Sequence, residues 1–254
     1  MIRLHIDLRF DGGYVMTVLN VAMFGSDELA KEIAKATDQR DVHTYVHKEN
    51  RDGVAKIISI IRPARYPERL RPLLNAISVG RVGIVEINAI DAILGEVLVA
   101  FASSNIDHGI AVIKPKDDEW IDQEMAEKMF AQAGLSKWKF MVADGLEIRN
   151  RLYDLMDEVE DQLIRSASSP LVISIDQHFN VKGIGLVAIG YVQCGTVKVH
   201  DELHILPSKG NGNTKSLQVM DDDVQIAQSG DRVGIAIRGA KEDSLGNGSI
   251  IVKP

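Results

Sequence analysis

The chain has one cysteine, no long apolar run and no surplus of positive charge, and each shortage narrows what it can be. Cys194 is the sole cysteine in 254 residues, so no internal disulfide can form, and its place in a strand-like pattern points to a buried, inert thiol. No apolar stretch approaches the roughly 20 residues that a membrane-spanning helix needs, and no basic segment followed by an apolar core opens the chain, so a cytoplasmic protein is expected. Twenty-nine Lys and Arg against 36 Asp and Glu leave a net charge of −7. That balance argues against an indiscriminate nucleic-acid binder, whose affinity comes from neutralising phosphates, and against a DNA partner, while leaving room for a local RNA site. Catalytic patterns are missing as well. The seven histidines show no metal-ligand spacing with cysteine or carboxylates, and His43 and His47 fall on a strand and its end, where they need not share a face. No nucleophile motif occurs. Asp221-Asp222-Asp223 reads as an acidic turn between strands in preference to a cation site, and no metal is expected.

What is present supports real cores. With 45% hydrophobic and 26% charged residues, the chain is long enough for two globular domains. Its densest signal runs from Phe179 to Leu203, FNVKGIGLVAIGYVQCGTVKVHDEL. Gly183, Gly185, Gly190 and Gly195 punctuate two runs of strand formers there, and glycine inside a strand pattern marks a bulge, a barrel corner or a close backbone approach. Val197 and Val199 alternate with Thr196, Lys198 and His200, and Leu203 and Ile205 resume the period of two after Asp201-Glu202. This spacing predicts a small, tightly curved barrel.

The first two thirds follow a different rule. Ile2, Leu4, Ile6, Leu8 and Phe10 alternate with Arg3, His5, Asp7 and Arg9 before Asp11-Gly12-Gly13, so residues 1–15 form either an extra edge strand or an N-terminal extension ahead of the start-like Met16. Thr17–Phe24 is an apolar run of buried-strand type. Ser26 then serves as an N-cap, with Asp27 and Glu28 in the first turn and Leu29, Ile33 and Ala36 on one face of a helix. Strands follow at Val42–Val46 and Val54–Ile61 around a polar turn at Lys48–Gly53. Leu70, Leu73, Leu74 and Ile77 mark a helix, Val82–Asn88 a strand, Leu94–Phe101 a helix and Gly109–Lys114 a strand. Ile121, Met125 and Met129 mark another helix, Trp138–Val142 the last strand, and Leu146 to Ile164 one long amphipathic helix. Six strands in this order with helices between them predict a mostly parallel sheet covered on both faces, the hairpin adding one antiparallel edge. Ser166-Ala167-Ser168-Ser169-Pro170 has linker chemistry. The expected division is therefore an extension over 1–15, an α/β domain over 16–165, a linker over 166–170 and a β-barrel over 170–254.

These residues carry a family resemblance. Phe179, Val181, Gly183, Gly185 and Val187, then Gly190, Gly195 and Val197-Lys198-Val199, and later Gly230-Asp231-Arg232-Val233-Gly234 with Arg238-Gly239, resemble the second, β-barrel domain of translational GTPases. The likeness is to elongation factor Tu and to the selenocysteine-specific and pyrrolysine-associated factors of archaea. Leu94-Gly95-Glu96 and the run Asn105–Ile113 resemble the same family's nucleotide domain. The resemblance implies a Ras-like P-loop GTPase fold followed by a barrel of the elongation factor Tu domain 2 type, with GTP hydrolysis as the family's activity and GTP or GDP with Mg²⁺ as its ligands.

Against that implication the nucleotide motifs depart. A P-loop wraps a phosphate in successive backbone N–H groups, neutralises it with a lysine and holds Mg²⁺ with a hydroxyl. Phe24–Glu32 stands in its place. Lys31 keeps the lysine's spacing from Gly25, but Ala30 replaces the second glycine and Glu32 the hydroxyl residue, while Asp27 and Glu28 bring carboxylates. The plainer reading of Lys31 is a solvated helix residue. The first-switch gap shrinks to Thr37–Asp41, where Thr37 reads as a helix-end or turn residue. Ile60–Tyr66 offers neither the carboxylate nor the glycine of the second switch, and Arg65 reads as a surface arginine or a phosphate ligand. In the guanine motif Lys114 survives, with Asp117 one residue late. No catalytic residue and no cofactor is therefore expected. A guanine-nucleotide site through Gly25, Lys31, Lys114 and Asp117 is the alternative.

On the barrel, the resemblance places Arg238-Gly239 on the loop near which the family holds the 3′ end of aminoacyl-tRNA, and a rim arginine paired with a carboxylate is the competing reading. Lys182 and the loop from Lys209 to Lys215 are basic enough to touch RNA and equally read as solvated loops. The family's third domain has no counterpart before Pro254. The leading expectation is an elongation-factor-like pseudo-GTPase whose barrel binds RNA or the translation apparatus, with tRNA or the ribosome as partner. A GTP-binding elongation factor and a protein-interaction module are the alternatives.

Overall fold

Apolar residues from Val18 to Met23 are buried in β1 (Met16–Phe24), the strand about which the first part of the molecule is built. A computed structural model describes residues 16–254 apart from 40–41, 52, 105, 116–119, 220–221 and 247. The strand or extension expected over 1–15 lies outside them, as do Asp117 and Asp221. Two compact units divide at Val159/Glu160. No helix among the described residues is long and apolar enough to cross a membrane.

In the first unit, β1 lies parallel to β4 (Val54–Pro63) on one side, with Leu19 opposite Ile58, and to β5 (Val82–Ile87) on the other, with Val21 opposite Val82. β6 (Gly109–Ile113) and β7 (Lys139–Val142) continue the parallel set, and β3 (Val42–Arg51) pairs antiparallel with β4. Helices α1 (Asp27–Ile33), α2 (Leu70–Val79), α3 (Ala92–Ala102), α4 (Gln123–Gln132) and α5 (Gly145–Glu158) connect and cover the strands. Burial on both faces explains why β5 is apolar almost throughout, as parallel strands between helical layers must be. Trp138 lies flat where β5 and β6 begin: a Cβ on Gly83 would come within 2.3 Å of its ring, and one on Gly109 within 2.6 Å. Phe101 and Phe130 meet the same indole at centroid distances of 5.1 and 5.6 Å.

Two expectations are corrected here. The described sheet has seven strands, not six, in the order β2-β3-β4-β1-β5-β6-β7. The added strand is β2 (Lys35–Gln39), because α1 stops at Ile33, Ala34 is extended, and the chain turns back along β3 instead of carrying Ala36 on the helix. Thr37 is accordingly a strand residue whose hydroxyl donates to the Thr44 carbonyl at 3.0 Å. The polar stretch Lys48–Arg51 is likewise strand, paired with Val54–Ile57, and Gly53 turns at φ +80° just before the second arm. Hairpins of this kind want a left-handed residue at the turn, and polarity along the arm reflects one solvated face.

The second unit begins with α6 (Glu160–Ala167). The single long helix expected through Ile164 is thus broken at Val159. α6 belongs to its own unit, where Leu163 and Ala167 are buried and the Ser166 carbonyl accepts the Gly195 N–H at 2.7 Å. Nine strands follow: β8 (Val172–Val181), β9 (Gly185–Cys194), β10 (Thr196–Lys198), β11 (Glu202–Leu206), β12 (Gly210–Val219), β13 (Asp222–Val224), β14 (Ile226–Gln228), β15 (Arg232–Arg238) and β16 (Ile250–Val252). Antiparallel pairing runs β11-β16-β8-β9-β15-β12, and β12 returns to β11, which closes a six-stranded barrel. Closure removes the exposed strand edges that an open sheet would leave. Ile173, Ile175, Leu186, Ala188, Leu203, Ile205, Leu217, Val219, Val233, Ile235, Ile237 and Ile251 fill it. Two of the glycines read from sequence are required by closure. A Cβ on Gly190 would sit 2.2 Å from the Ser174 carbonyl oxygen across the β8–β9 bulge, and Gly195 turns at φ +75° with Leu171 Cα 2.6 Å from where its Cβ would be. Cys194 is half-buried, not fully buried, with its thiol 3.0 Å from the Pro170 carbonyl.

Candidate functional site

The loop leaving β1 is short because Ser26 starts a helix at once: its Oγ accepts the Leu29 N–H at 3.2 Å, and Asp27 and Glu28 occupy the first turn. A side chain as small as serine caps a helix because its oxygen takes one of the N–H groups that the first turn leaves unpaired. The backbone N–H of Ser26 itself points at Glu86, whose Oε2 accepts it at 2.5 Å. Glu86 projects from β5, between Val85 and Ile87, and is 1% exposed. Its other oxygen lies 3.5 Å from Lys114 Nζ and 3.5 Å from Asn88 Nδ2, which also donates to the Lys114 carbonyl at 2.8 Å. Gly25 leaves room for this carboxylate, since a Cβ there would stand 2.9 Å from Glu86 Oε2. Arg62, at the end of β4, donates from Nε to the Gly25 carbonyl at 2.6 Å and ties the loop from the other side.

A buried anion therefore rests against the start of α1, held by one backbone N–H and one ammonium group. The chemistry is that of an internal ion pair. A buried carboxylate is tolerated only when its oxygens are paired, and both oxygens of Glu86 are.

Of the nucleotide residues expected from sequence, the fold brings Gly25 and Lys114 together through Glu86. Lys31 is not with them: it pairs with Asp27 one turn earlier on α1. Asp27 also accepts from the Tyr45 hydroxyl. Hydrogen bonds from Lys31 and then Tyr45 hold the Asp27 carboxyl below the usual aspartate range, while burial, followed by the bond to Asp27, pushes the Tyr45 phenol up to about 12. Glu32 is exposed, and the backbone around it is occupied, its carbonyl accepting Arg149 Nη2 at 2.8 Å. Mg²⁺ with a triphosphate requires free N–H groups at the helix start, a lysine over them, a hydroxyl after the lysine and a carboxylate at the second-switch strand end. The residues present do not fit that group: the Ser26 N–H is engaged, Lys31 is turned to Asp27, Glu32 has no hydroxyl, and Ile61-Arg62-Pro63 at the end of β4 carries no carboxylate.

Sequence reasoning missed Glu86, Asn88, Arg62 and Tyr45. The signal for Glu86 was present, a lone carboxylate inside the run Val82–Ile87, in which every residue is buried.

In the second unit, Lys182 sits in the turn between β8 and β9, Arg238 ends β15, and Lys215 occupies the bulge of β12 and donates to the Ile184 carbonyl at 2.8 Å. The registers Leu186–Ile237 and Thr214–Ile237 put these three cations at one end of adjacent strands. Lys209, at φ +60°, tops the β11–β12 hairpin beyond the Asn213–Arg238 pair, and Gly239 turns at φ +86° with open space around it. Arg238, Lys182 and Lys209 are exposed and make no ion pair among the described residues. Exposed Phe179 and Ile184 flank the Lys182 turn.

Comparison with known proteins places this geometry. Residues 185–252 match the family model described as elongation factor Tu domain 2. An uncharacterized protein of Methanocaldococcus jannaschii is 31% identical over 237 residues, covering 93% of this chain and 72% of that protein. The selenocysteine-specific elongation factor of the same organism is 39% identical over 105 residues, 41% of this chain and 22% of that factor. Among solved structures, the apo translation elongation factor SelB of Methanococcus maripaludis superposes with a TM-score of 0.72 at 22% identity, covering 94% of this chain and 56% of that one. A bacterial selenocysteine-specific elongation factor gives 0.72 at 21%, covering 95% and 45%. The chain thus spans about half the length of the solved factors.

Proposed function

This chain belongs to the translational GTPase family, and we propose that within it the chain acts as an elongation-factor-like pseudo-GTPase, a nucleotide-free scaffold that presents its barrel to RNA or the translation apparatus. One observation carries the reading: the Glu86 carboxylate on the Ser26 N–H, with Lys114 on the same carboxylate. A phosphate entering this loop meets a negative charge already holding the donors it would need. Charge-assisted hydrogen bonds contribute about 1.5–3 kcal/mol each, so forfeiting three or four costs roughly 5–10 kcal/mol. Even a nanomolar site, at about −12 kcal/mol, is left with roughly −7 to −2 kcal/mol on that account, a dissociation constant between about ten micromolar and tens of millimolar. The barrel supports the other half of the proposal through Lys182, Lys215 and Arg238 gathered at one end, with Arg238 unpaired among the described residues. An arginine so placed can take a phosphate or stack on a base, as RNA recognition requires. tRNA and the ribosome are the partners this reading favours, and the cytoplasm is where it would operate.

Calorimetric titration with GTP and GDP in Mg²⁺ tests the first half, with no saturable heat expected up to millimolar nucleotide. Micromolar binding abolished by changing Lys114 or Asp117 would replace the scaffold with a nucleotide-binding factor. For the second half, deacylated and aminoacylated tRNA and ribosomal subunits are titrated at several salt concentrations. Arg238→Ala is expected to weaken RNA binding about tenfold and to reduce the salt slope by about one. Affinity and slope unchanged by Arg238→Ala would remove the barrel rim from the proposal.

A further inference from the structure

One edge of the sheet in the first unit is uncovered and has a cavity beside it. β7 is last in the strand order and pairs only with β6 among the described residues, so the N–H and C=O groups along its outer side have no ladder partner there. Trp138 and Phe140 project to the face that carries α4, where Phe130 meets their rings at 5.6 and 5.1 Å, and Val142, next on that face, is 68% exposed. The cavity, of about 440 Å³, is bounded by Gln123, Glu127 and Ala131 on one flank of α4 and by Trp138, Lys139 and Phe140 on the strand. Lys139 alternates to the opposite face, so its presence in this wall puts the cavity along the strand's outer edge. Trp138 is 5% exposed, and its indole N–H is buried without an acceptor among the described residues. The six-membered ring reaches inward over Gly109 to Gly83, which leaves the N–H at the end nearer that edge. Charge here has one sign. Residues 117–127 hold six carboxylates and no cation. The cations of the region are answered, Lys128 by Glu124 at 2.6 Å, Lys137 by Asp107 at 3.6 Å, and Lys139 by Glu158 within electrostatic reach. Glu127 has only the Gln123 amide, at 2.8 Å, among the described residues.

We propose that the groove between α4 and β7 takes up an extended basic segment of a partner protein, which adds to β7 as a further strand and sets an apolar side chain in the cavity and a lysine or arginine, two positions away, against Glu127. The free edge decides the conformation, because a row of backbone groups is satisfied by another strand. The aromatic wall decides the anchor, and a carbonyl oxygen of the segment is the kind of acceptor the Trp138 N–H lacks. Glu127 and the acidic run decide the charge. RNA fits less of this: a base could enter the cavity, but the phosphates would face carboxylates and the edge of β7 would stay unpaired. β7 is only four residues long and carries Lys139, devices that keep an edge from pairing at random, so backbone pairing alone cannot hold a partner and the cavity supplies the selectivity. The proposal stands apart from the nucleotide loop and the barrel rim, since it uses no residue of either.

The test follows Trp138 emission in the full chain carrying Trp120→Phe, which leaves one tryptophan of the two and alters a side chain that is 83% exposed. The probe is a short peptide with a central phenylalanine, threonines beside it and arginines two positions away on either side. Its glutamate-for-arginine counterpart and a uridine oligonucleotide serve as comparisons. A saturable change is expected with the arginine peptide. Ala131→Tyr, which fills the cavity from an exposed helix position, should weaken it at least about tenfold, as loss of an anchor does. Glu127→Gln should weaken it about two- to fivefold. Both positions are exposed, so these variants should keep the parent's melting curve, recorded in parallel. Two further peptides, N-methylated at alternate amides on one edge or the other, distinguish strand addition from other contact: one should lose binding and the other keep it. No saturation at millimolar peptide, equal binding of the glutamate peptide, equal binding of the two methylated peptides, or indifference to Ala131→Tyr would each overturn the proposal. So would an oligonucleotide that competes for the same emission change, which would make the groove an RNA contact, and self-association of the chain abolished by Ala131→Tyr, which would make it an interface between copies. Peptide binding only after Leu4→Ser, Ile6→Ser and Leu8→Ser are combined would give the groove to the chain's own first residues instead.

Discussion

The two units differ in where family likeness and structural necessity coincide. In the barrel they are the same residues. Gly190 and Gly195 carry the resemblance, and the fold cannot close with a side chain at either place, because a Cβ would meet backbone at 2.2 and 2.6 Å. In the sheet unit they come apart. Its fold rests on the buried runs of β1, β4, β5 and β6, and none of these depends on what the loop after β1 binds. A barrel of this size is therefore legible from its glycines, whereas the sheet unit keeps its architecture with Glu86, a residue of β5, accepting the Ser26 N–H at the start of α1. Family membership predicts fold in both units and predicts chemistry in neither without the site.

The sharpest way to break this contrast is to place a side chain where closure forbids one. Gly190→Val is expected to cost ~3 kcal/mol or more, since the clash is with a carbonyl of the neighbouring strand and not with a movable side chain. Urea unfolding should show the barrel transition lost or moved to much lower denaturant, with the sheet unit's transition retained. A shared transition shifted by the same amount would mean the two units unfold as one.

Glu86→Ala probes the other side of the contrast. Removing the carboxylate leaves the Ser26 N–H and Lys114 without their acceptor, and the sheet unit should lose about 2–3 kcal/mol. Glu86→Gln, which keeps an acceptor oxygen but not the charge, should lose about half as much. If Glu86→Ala left the melting temperature unchanged, the carboxylate would not be what holds the start of α1.

A smaller effect comes from pH and concerns Asp27 and Tyr45. The Asp27 pKa is lowered below 3.8 by Lys31 and Tyr45, so its contribution is fully present above the unfolded value and disappears as pH falls through the folded one. Tyr45 is shifted the other way, to about 12, so its contribution is present below 10 and is lost as pH rises toward 12. Burial also moves Tyr66 and Tyr153 to about 12. Denaturant midpoints measured across pH should therefore fall on both limbs, and Tyr45→Phe should shrink the alkaline limb without abolishing it. An alkaline limb untouched by Tyr45→Phe would detach Tyr45 from the pair.

Legibility differed between fold and site for a physical reason. Alternation of two, apolar runs between helices, and glycines at turns are local, and they located the barrel, the parallel strands of the sheet and the hairpin from the order of residues alone. The edge strand β2 escaped because Lys35–Gln39 is polar and becomes a strand only by pairing with β3. The break at Val159 escaped because the amphipathic period runs through it, and α6 takes its place from contacts within its own unit, such as Ser166 with Gly195. Leu70 and Leu74 kept the spacing of core residues, and only their exposure beside the buried Leu73 and Ile77 shows that they lie at the edge of that face.

What sequence alone determined is the pair of architectures, the family resemblance and the absence of a P-loop's second glycine and hydroxyl. Those departures are readable because the residues are contiguous. It could not say what the Ser26 N–H meets, because Ser26 and Glu86 are sixty residues apart and meet only when β5 lies beside β1. The same holds for Lys31, whose spacing from Gly25 suggested a phosphate lysine until the helix put Asp27 one turn away and within reach. Spacing along a chain reports local geometry, while the partner of a buried charge is settled by which strands are neighbours, and that is decided only when the sheet forms.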